Sequence, residues 1–147
     1  MASLFTVISR SGRSLFKAVR VFSAMVVLSG LGMSSGYALT LAQWTFEGDV
    51  TTPASGSGTV SLVGGTTATF ATGNPGGRGW NTATYAASGT GDKTRGIEIA
   101  VDATGYQGLV LTFDQRHSNT ANNTVVVQYS SDGTTFSDAQ TFTFTPA

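Results

Sequence analysis

Beyond residue 40 the chain alternates apolar and polar positions with a period of two. In "LAQWTFEGD", Ala42, Trp44 and Phe46 fall on one face, and Gln43, Thr45 and Glu47 on the other. In "RGIEIAVD", Ile97, Ile99 and Val101 oppose Glu98, Ala100 and Asp102. In "GLVLTFDQR", Leu109, Leu111 and Phe113 oppose Thr112, Asp114 and Arg116. "NTVVVQYS" sets Val125, Val127 and Tyr129 against Val126, Gln128 and Ser130, and "AQTFTFT" alternates Phe142 and Phe144 with threonines. "TVSLV" and "TATFAT" add two shorter strands, and "WNTATYA" a weaker one. Successive strand residues point to opposite faces, so this alternation predicts half-buried strands. No helical apolar spacing follows residue 40, while the β-branched and aromatic residues favoured in strands are common.

The turn chemistry agrees. "SSDGTT" (Ser130 to Thr135) predicts a hairpin, because Asp-Gly suits a turn with positive φ. "DATGYQG" connects the Ile97 strand to the Leu109 strand, and "TTPASGSG" and "GNPGGRG" read as loops. Short strands with one apolar face, separated by such turns, predict an all-β fold: an antiparallel β-sandwich, jelly-roll-like. There is no tandem repeat. The last strand, in "TFTFTPA", has nothing after it to pair with, and an exposed edge is an aggregation liability. The expectation is therefore a sandwich truncated at its C-terminus.

Charge changes the picture at the amino end. The 147 residues hold 8 Lys+Arg, 8 Asp+Glu, one His and no Cys. Arg10, Arg13, Lys17 and Arg20 precede the apolar stretch "VFSAMVVLSGLGMSSGYA", and no acidic residue comes before Glu47. Basic, then apolar, then small is the order of a secretory signal peptide. Gly36 and Ala38 fit the small-x-small rule for cleavage after Ala38, with Ala42 as second choice. The run from Val21 to Leu31 is short for a membrane span, which needs about 20 apolar residues. The expected organisation is a signal peptide at 1–38 and one β-sandwich module at 39–147, secreted or at the cell surface, off the membrane after cleavage. Residues 39–147 carry 4 basic and 8 acidic side chains. That balance speaks against nucleic acid as a partner, since such binders show basic stripes. Without Cys, an exported chain does not rely on disulfides.

Candidate chemistry is thin. His117, in "DQRHSNTANNT", has no Gly-x-Ser-x-Gly elbow or Cys to serve, so no catalytic residues and no enzyme activity are expected. Asp114 and Arg116, two apart on one face, are expected to pair beside it. "SGTGDKT" mimics a phosphate loop, but Asp92 separates Gly91 from Lys93 and a strand follows instead of a helix. Glu47 and Asp49 are candidate ligands for Ca2+, which takes several oxygen donors; Asp102, Asp132 and Asp138 are further candidates, and ordinary turn acids are the alternative. "GGRGWNTATY" brings Arg78, Trp80, Asn81 and Tyr85 together in or beside a Gly-rich loop. A flat aromatic face with fixed polar donors suits sugar binding, so these four are the candidate ligand residues for polysaccharide. The competing reading places Trp80 in the core, where Trp is usually largely buried. "NNT" at Asn122 to Thr124 matches the glycosylation sequon.

Several stretches carry a resemblance. "LAQWTFEGD", "GNPGGRGWNTATY", "ATGYQGLVLTFDQRHSNT" and "FDQRHSNTANNTVVVQYSSDGTTF" together resemble the N-terminal β-sandwich module of certain bacterial secreted proteins. Some of those proteins carry a secreted nuclease domain of the endonuclease/exonuclease/phosphatase superfamily, and others a C-terminal sorting tail. In that module a basic residue often follows the Ser-Asn-Thr-Ala stretch; here Asn122 and Asn123 stand there. The resemblance implies a sandwich that continues past Ala147, and it supplies no catalytic residues. The leading expectation is a non-catalytic module for binding or adhesion. The alternatives are an accessory fragment of a secreted nuclease or other hydrolase, and a cell-surface structural protein. Fold analogy does not choose among them.

Overall fold

The computed structural model describes residues 5–14, 18–22, 39–73, 76–87, 89–118 and 121–143. Its strands are β1 (Phe5–Ser14), β2 (Ala18–Phe22), β3 (Leu39–Trp44), β4 (Ser55–Gly56), β5 (Thr59–Val63) and β6 (Thr67–Thr72). They continue with β7 (Arg78–Ala83), β8 (Gly96–Ala100), β9 (Tyr106–Phe113), β10 (Thr124–Ser130) and β11 (Ser137–Thr143). No helix occurs among the described residues, and the strand pairs are antiparallel. A four-stranded sheet runs β4-β3-β1-β9, a five-stranded sheet β11-β10-β2-β8-β5, and β6 and β7 form a hairpin. Each alternating stretch in the sequence has become a strand. Phe144, expected in the last one, and the residues after it lie outside the described residues.

The core sits between the two large sheets, as a β-sandwich requires. Ala42 and Trp44 of β3 and Phe113 of β9 come from one sheet; Ile97 and Ile99 of β8 and Val125 and Val127 of β10 come from the other. Trp44 is fully buried, and its indole N–H donates to the Thr51 carbonyl at 2.9 Å, so its polar atom costs nothing. The neighbouring backbone is bare to admit it. A Cβ built on Gly58 would lie 2.9 Å from the Trp44 ring and 2.7 Å from the Ala100 carbonyl oxygen.

Two regions depart from the simple alternation. On β10, Val125 and Val127 are buried as their face predicts, but Tyr129 is 39% exposed while Ser130 is 2% exposed. The β10–β11 register shifts between Val127 and Gln128. The extra residue, Ala139, is on β11, and β10 itself pairs with β2 without a break from Val126 to Ser130. Ser130 turns inward to accept the Gly133 N–H at 2.9 Å and to donate to Asp132 at 2.9 Å. The second region is the amino end. Within the expected leader, Phe5–Ser14 and Ala18–Phe22 are paired as strands inside the two large sheets, whereas the expected cleavage region at 23–38 lies outside the described residues.

Candidate functional site

The candidate residues from "FEGD" and "GGRGWNTATY" meet at one end of β7, where they form a clasp. The chain leaves β3 through Phe46, which takes φ +59°, then Gly48 at +74° and Asp49 at +59°. A bulky side chain avoids that region, so the bend has to be held by its surroundings. Burial of the ring supplies the hold: Phe46 is 1% exposed, stacks on Trp80 with centroids 5.8 Å apart, and meets Phe70 of β6 at 6.5 Å. The bend turns two carboxylates toward β7. Glu47 Oε1 accepts the Arg78 backbone N–H at 2.7 Å, and Asp49 Oδ1 accepts from Arg78 Nε at 2.5 Å. The hydrogen bond to Asp49, aided by the charges of Asp49 and Glu47, raises the Arg78 pKa against some desolvation. Gly77 (φ +63°) is needed here, because a Cβ would collide with Glu47 Oε1.

This arrangement separates the four candidate sugar contacts. Trp80 is 6% exposed and belongs to the core. Arg78 is engaged by Glu47 and Asp49, the two candidate calcium ligands: its backbone N–H bonds one oxygen of Glu47, and its guanidinium one oxygen of Asp49. The other carboxylates proposed as oxygen donors are also engaged. Asp102 accepts the Thr104 N–H at 2.9 Å, Asp132 organises its own turn, and Asp138 accepts from Lys93 Nζ at 2.7 Å and from Gln128 at 2.7 Å. Among the described residues, no three His, Cys, Asp or Glu side chains converge.

Asn81 and Tyr85 lie elsewhere, on a cleft of about 1000 Å³. One wall is the end of β7 and the residues after it. A second is the 89–95 loop with Lys93 and Arg95, and the third is the turn that holds Asn122 and Thr124. Hydrogen bonds fix each wall. The Tyr85 hydroxyl lies 2.7 Å from Thr82 Oγ1, and burial pushes the phenol pKa up. Thr84 takes φ +60°; its hydroxyl accepts the Thr67 N–H at 2.9 Å, and its carbonyl accepts from Arg95 Nη1 at 2.6 Å. Thr94 and Thr90 donate to the carbonyls of Gly91 and Ala87 at 2.5 and 2.8 Å, which closes the loop on itself. The ion pair of Lys93 with Asp138 ties this loop to β11; the shared hydrogen bond raises the lysine pKa and lowers the aspartate's.

The stretch "DQRHSNTANNT" therefore has two halves. Asp114 to Ser118 leave β9, and no ion pair joins Asp114 to Arg116 among the described residues. His117 is half-buried; desolvation lowers its pKa, against the raising effect of a hydrogen bond with the Asn122 backbone. From the second half, Ser118, Ala121, Asn122, Asn123 and Thr124 line the cleft. Sequence reading weighed "SGTGDKT" as a failed phosphate loop and "NNT" as a sequon, and it missed that both border the same space as Asn81 and Tyr85. The signal that marks them is compositional: each is rich in Thr, Ser, Asn and Gly, the chemistry of a polar rim. No family model matches the chain, and no curated protein or solved structure does.

Proposed function

We propose that this chain is a secreted, non-catalytic β-sandwich module that binds polysaccharide in the cleft at the end of β7. The supporting observation is the cleft itself: about 1000 Å³ of open space bordered by the Asn81 and Asn122 amides, threonine hydroxyls and Tyr85. A sugar ring offers hydroxyls at its edge and C–H groups on its faces. It is recognised by fixed donors and acceptors beside a flat aromatic surface. Tyr85 is tied to Thr82, and the Thr84 and Thr90 hydroxyls to neighbouring backbone, so little ordering of these groups is required when a ligand enters. Of the four sugar contacts expected from sequence, this reading uses Asn81 and Tyr85. Arg78 and Trp80 act through the clasp.

A glycan array followed by titration calorimetry tests the reading on the full chain. The expected result is binding to at least one polysaccharide class, weakened about tenfold or more by Asn81→Ala with Asn122→Ala, since each lost polar contact is worth about 1 kcal/mol or more. Thermal stability should be unchanged. Silence across the array, or variants that bind like the parent, would remove the proposal.

A further inference from the structure

Two cations, Lys93 and Arg95, and one carboxylate, Asp92, lie among the residues that line the cleft. The two cations are not equivalent. Lys93 donates to Asp138 at 2.7 Å, and that hydrogen bond, with the charges of Asp138 and Asp92, raises its pKa against some desolvation. Its charge is answered by the chain's own carboxylates. Arg95 is exposed, and no ion pair joins it to a carboxylate among the described residues. Its Nη1 donates instead to the Thr84 carbonyl at 2.6 Å. Thr84 offers that oxygen from a backbone at φ +60°, a conformation that its own hydroxyl helps to hold by accepting the Thr67 N–H at 2.9 Å. The stem of Arg95 runs close over Gly64, where an added Cβ would lie 3.2 Å from Arg95 Cγ and would strike the Thr94 carbonyl oxygen. The guanidinium is therefore oriented by a neutral acceptor at one nitrogen. Its Nε and Nη2 edge makes no hydrogen bond among the described residues. That edge carries the two parallel donors that match a carboxylate.

We propose, on the reading of this cleft as a polysaccharide site, that it selects acidic polysaccharide, with the Nε and Nη2 edge of Arg95 taking the carboxylate of a uronic acid residue. A uronic acid offers hydroxyls and a planar carboxylate from one ring. The amides and hydroxyls of the rim suit the hydroxyls, and the arginine fork suits the carboxylate. A lysine at this position would supply a point charge without the fork. Arg95 is a specificity residue in this scheme, since a neutral sugar meets every other polar group of the cleft equally well. Its exposure keeps the gain modest, because a solvated ion pair is worth at most about 1 kcal/mol unless its geometry is bidentate.

The test titrates the full chain with polygalacturonate, alginate and hyaluronate, with the same polymers after reduction of their carboxyl groups to alcohols, and with dextran sulfate. The expected result is that at least one acidic polymer binds about fivefold or more tightly than its reduced counterpart. Added salt should narrow that difference. Arg95→Gln should abolish it, and Arg95→Lys should not restore it. The comparison of acidic with reduced polymer needs only the parent chain, so a variant that fails to fold does not decide the outcome. Equal binding of the two forms, or binding of reduced polymers alone, would overturn this inference and leave the polysaccharide reading of the cleft standing. Dextran sulfate bound as tightly as the best polyuronate, with Arg95→Lys equal to the parent, would make charge alone the determinant and overturn the carboxylate assignment. Silence from every polymer here and on the glycan array would remove both.

Discussion

Phe46 lies against Trp80 with ring centroids 5.8 Å apart and planes tilted by 22°. The contact joins the end of β3 to β7 and holds Phe46 at a positive φ that its size disfavours. Trp80 is therefore a core residue whose loss opens a cavity beneath the clasp. Trp80→Ala should cost about 3–5 kcal/mol. In a domain of this size that is a fall in Tm of more than ~10 °C, read by circular dichroism. A variant with the parent Tm would mean that the stack carries no weight. This is also why Trp80→Ala is a poor probe of sugar binding: it removes the frame along with any contact.

The Arg78 guanidinium and a calcium ion would compete for Asp49. Asp49 Oδ1 accepts from the Arg78 guanidinium, while Glu47 Oε1 accepts only the Arg78 backbone N–H, so a divalent ion drawn to this pair meets a positive charge at Asp49. Any rise in Tm on adding calcium should accordingly be larger in Arg78→Ala than in the parent chain, through ligand linkage. In the absence of calcium, Arg78→Ala should lower Tm modestly, and added salt should narrow the difference, as expected for an exposed pair. A calcium response that is strongest in the parent would instead place the ion elsewhere.

Much of this fold was legible because alternation reports burial directly. Ile97, Ile99, Val125, Val127, Trp44 and Phe113 are buried as their faces predict. The Asp132–Gly133 turn was legible because positive φ restricts residue choice, and Gly133 takes φ +78°. Tyr129 was not legible. It shares a face with Val125 and Val127 but stands near the end of β10, and alternation does not say where along a strand the cover of the core ends. The cleft was legible only in pieces. Asn81, Arg95 and Asn122 lie on three segments whose meeting is fixed by sheet order, which alternation does not encode. The clasp was not legible for a related reason: Glu47, Asp49 and Arg78 were each read as candidate ligand groups, and their bonding to one another depends on the bend after β3.

Gly58 tests the tightness of the sandwich near Trp44. An added Cβ would stand 2.9 Å from the indole ring, 2.9 Å from Val101 and 2.7 Å from a backbone oxygen of β8. The ring is fully buried and cannot swing away. Gly58→Ala should therefore destabilise by about 1–3 kcal/mol, the usual range for overpacking, despite alanine's lower backbone entropy cost. A denaturant titration decides it. A stabilised variant would show that β5 can shift outward without loss.

Asp132 makes stability depend on acid. Its Oδ1 accepts the backbone N–H groups of Thr134 and Thr135, both at 2.7 Å, and the Ser130 hydroxyl at 2.9 Å. These hydrogen bonds hold the carboxyl well below its ordinary value of 3.8, with the Thr135 and Thr134 amides contributing most. A carboxyl depressed in the folded state stabilises it fully above the unfolded pKa, and that contribution is lost as pH falls toward the folded value. Tm should thus decline progressively as pH drops below about 4. Asp132→Asn keeps an oxygen acceptor but cannot titrate, so its Tm should start lower at neutral pH and fall less steeply in acid. Parallel Tm–pH curves for the two proteins would show that other carboxylates, Asp138 with its Lys93 and Gln128 partners first among them, carry the acid sensitivity instead.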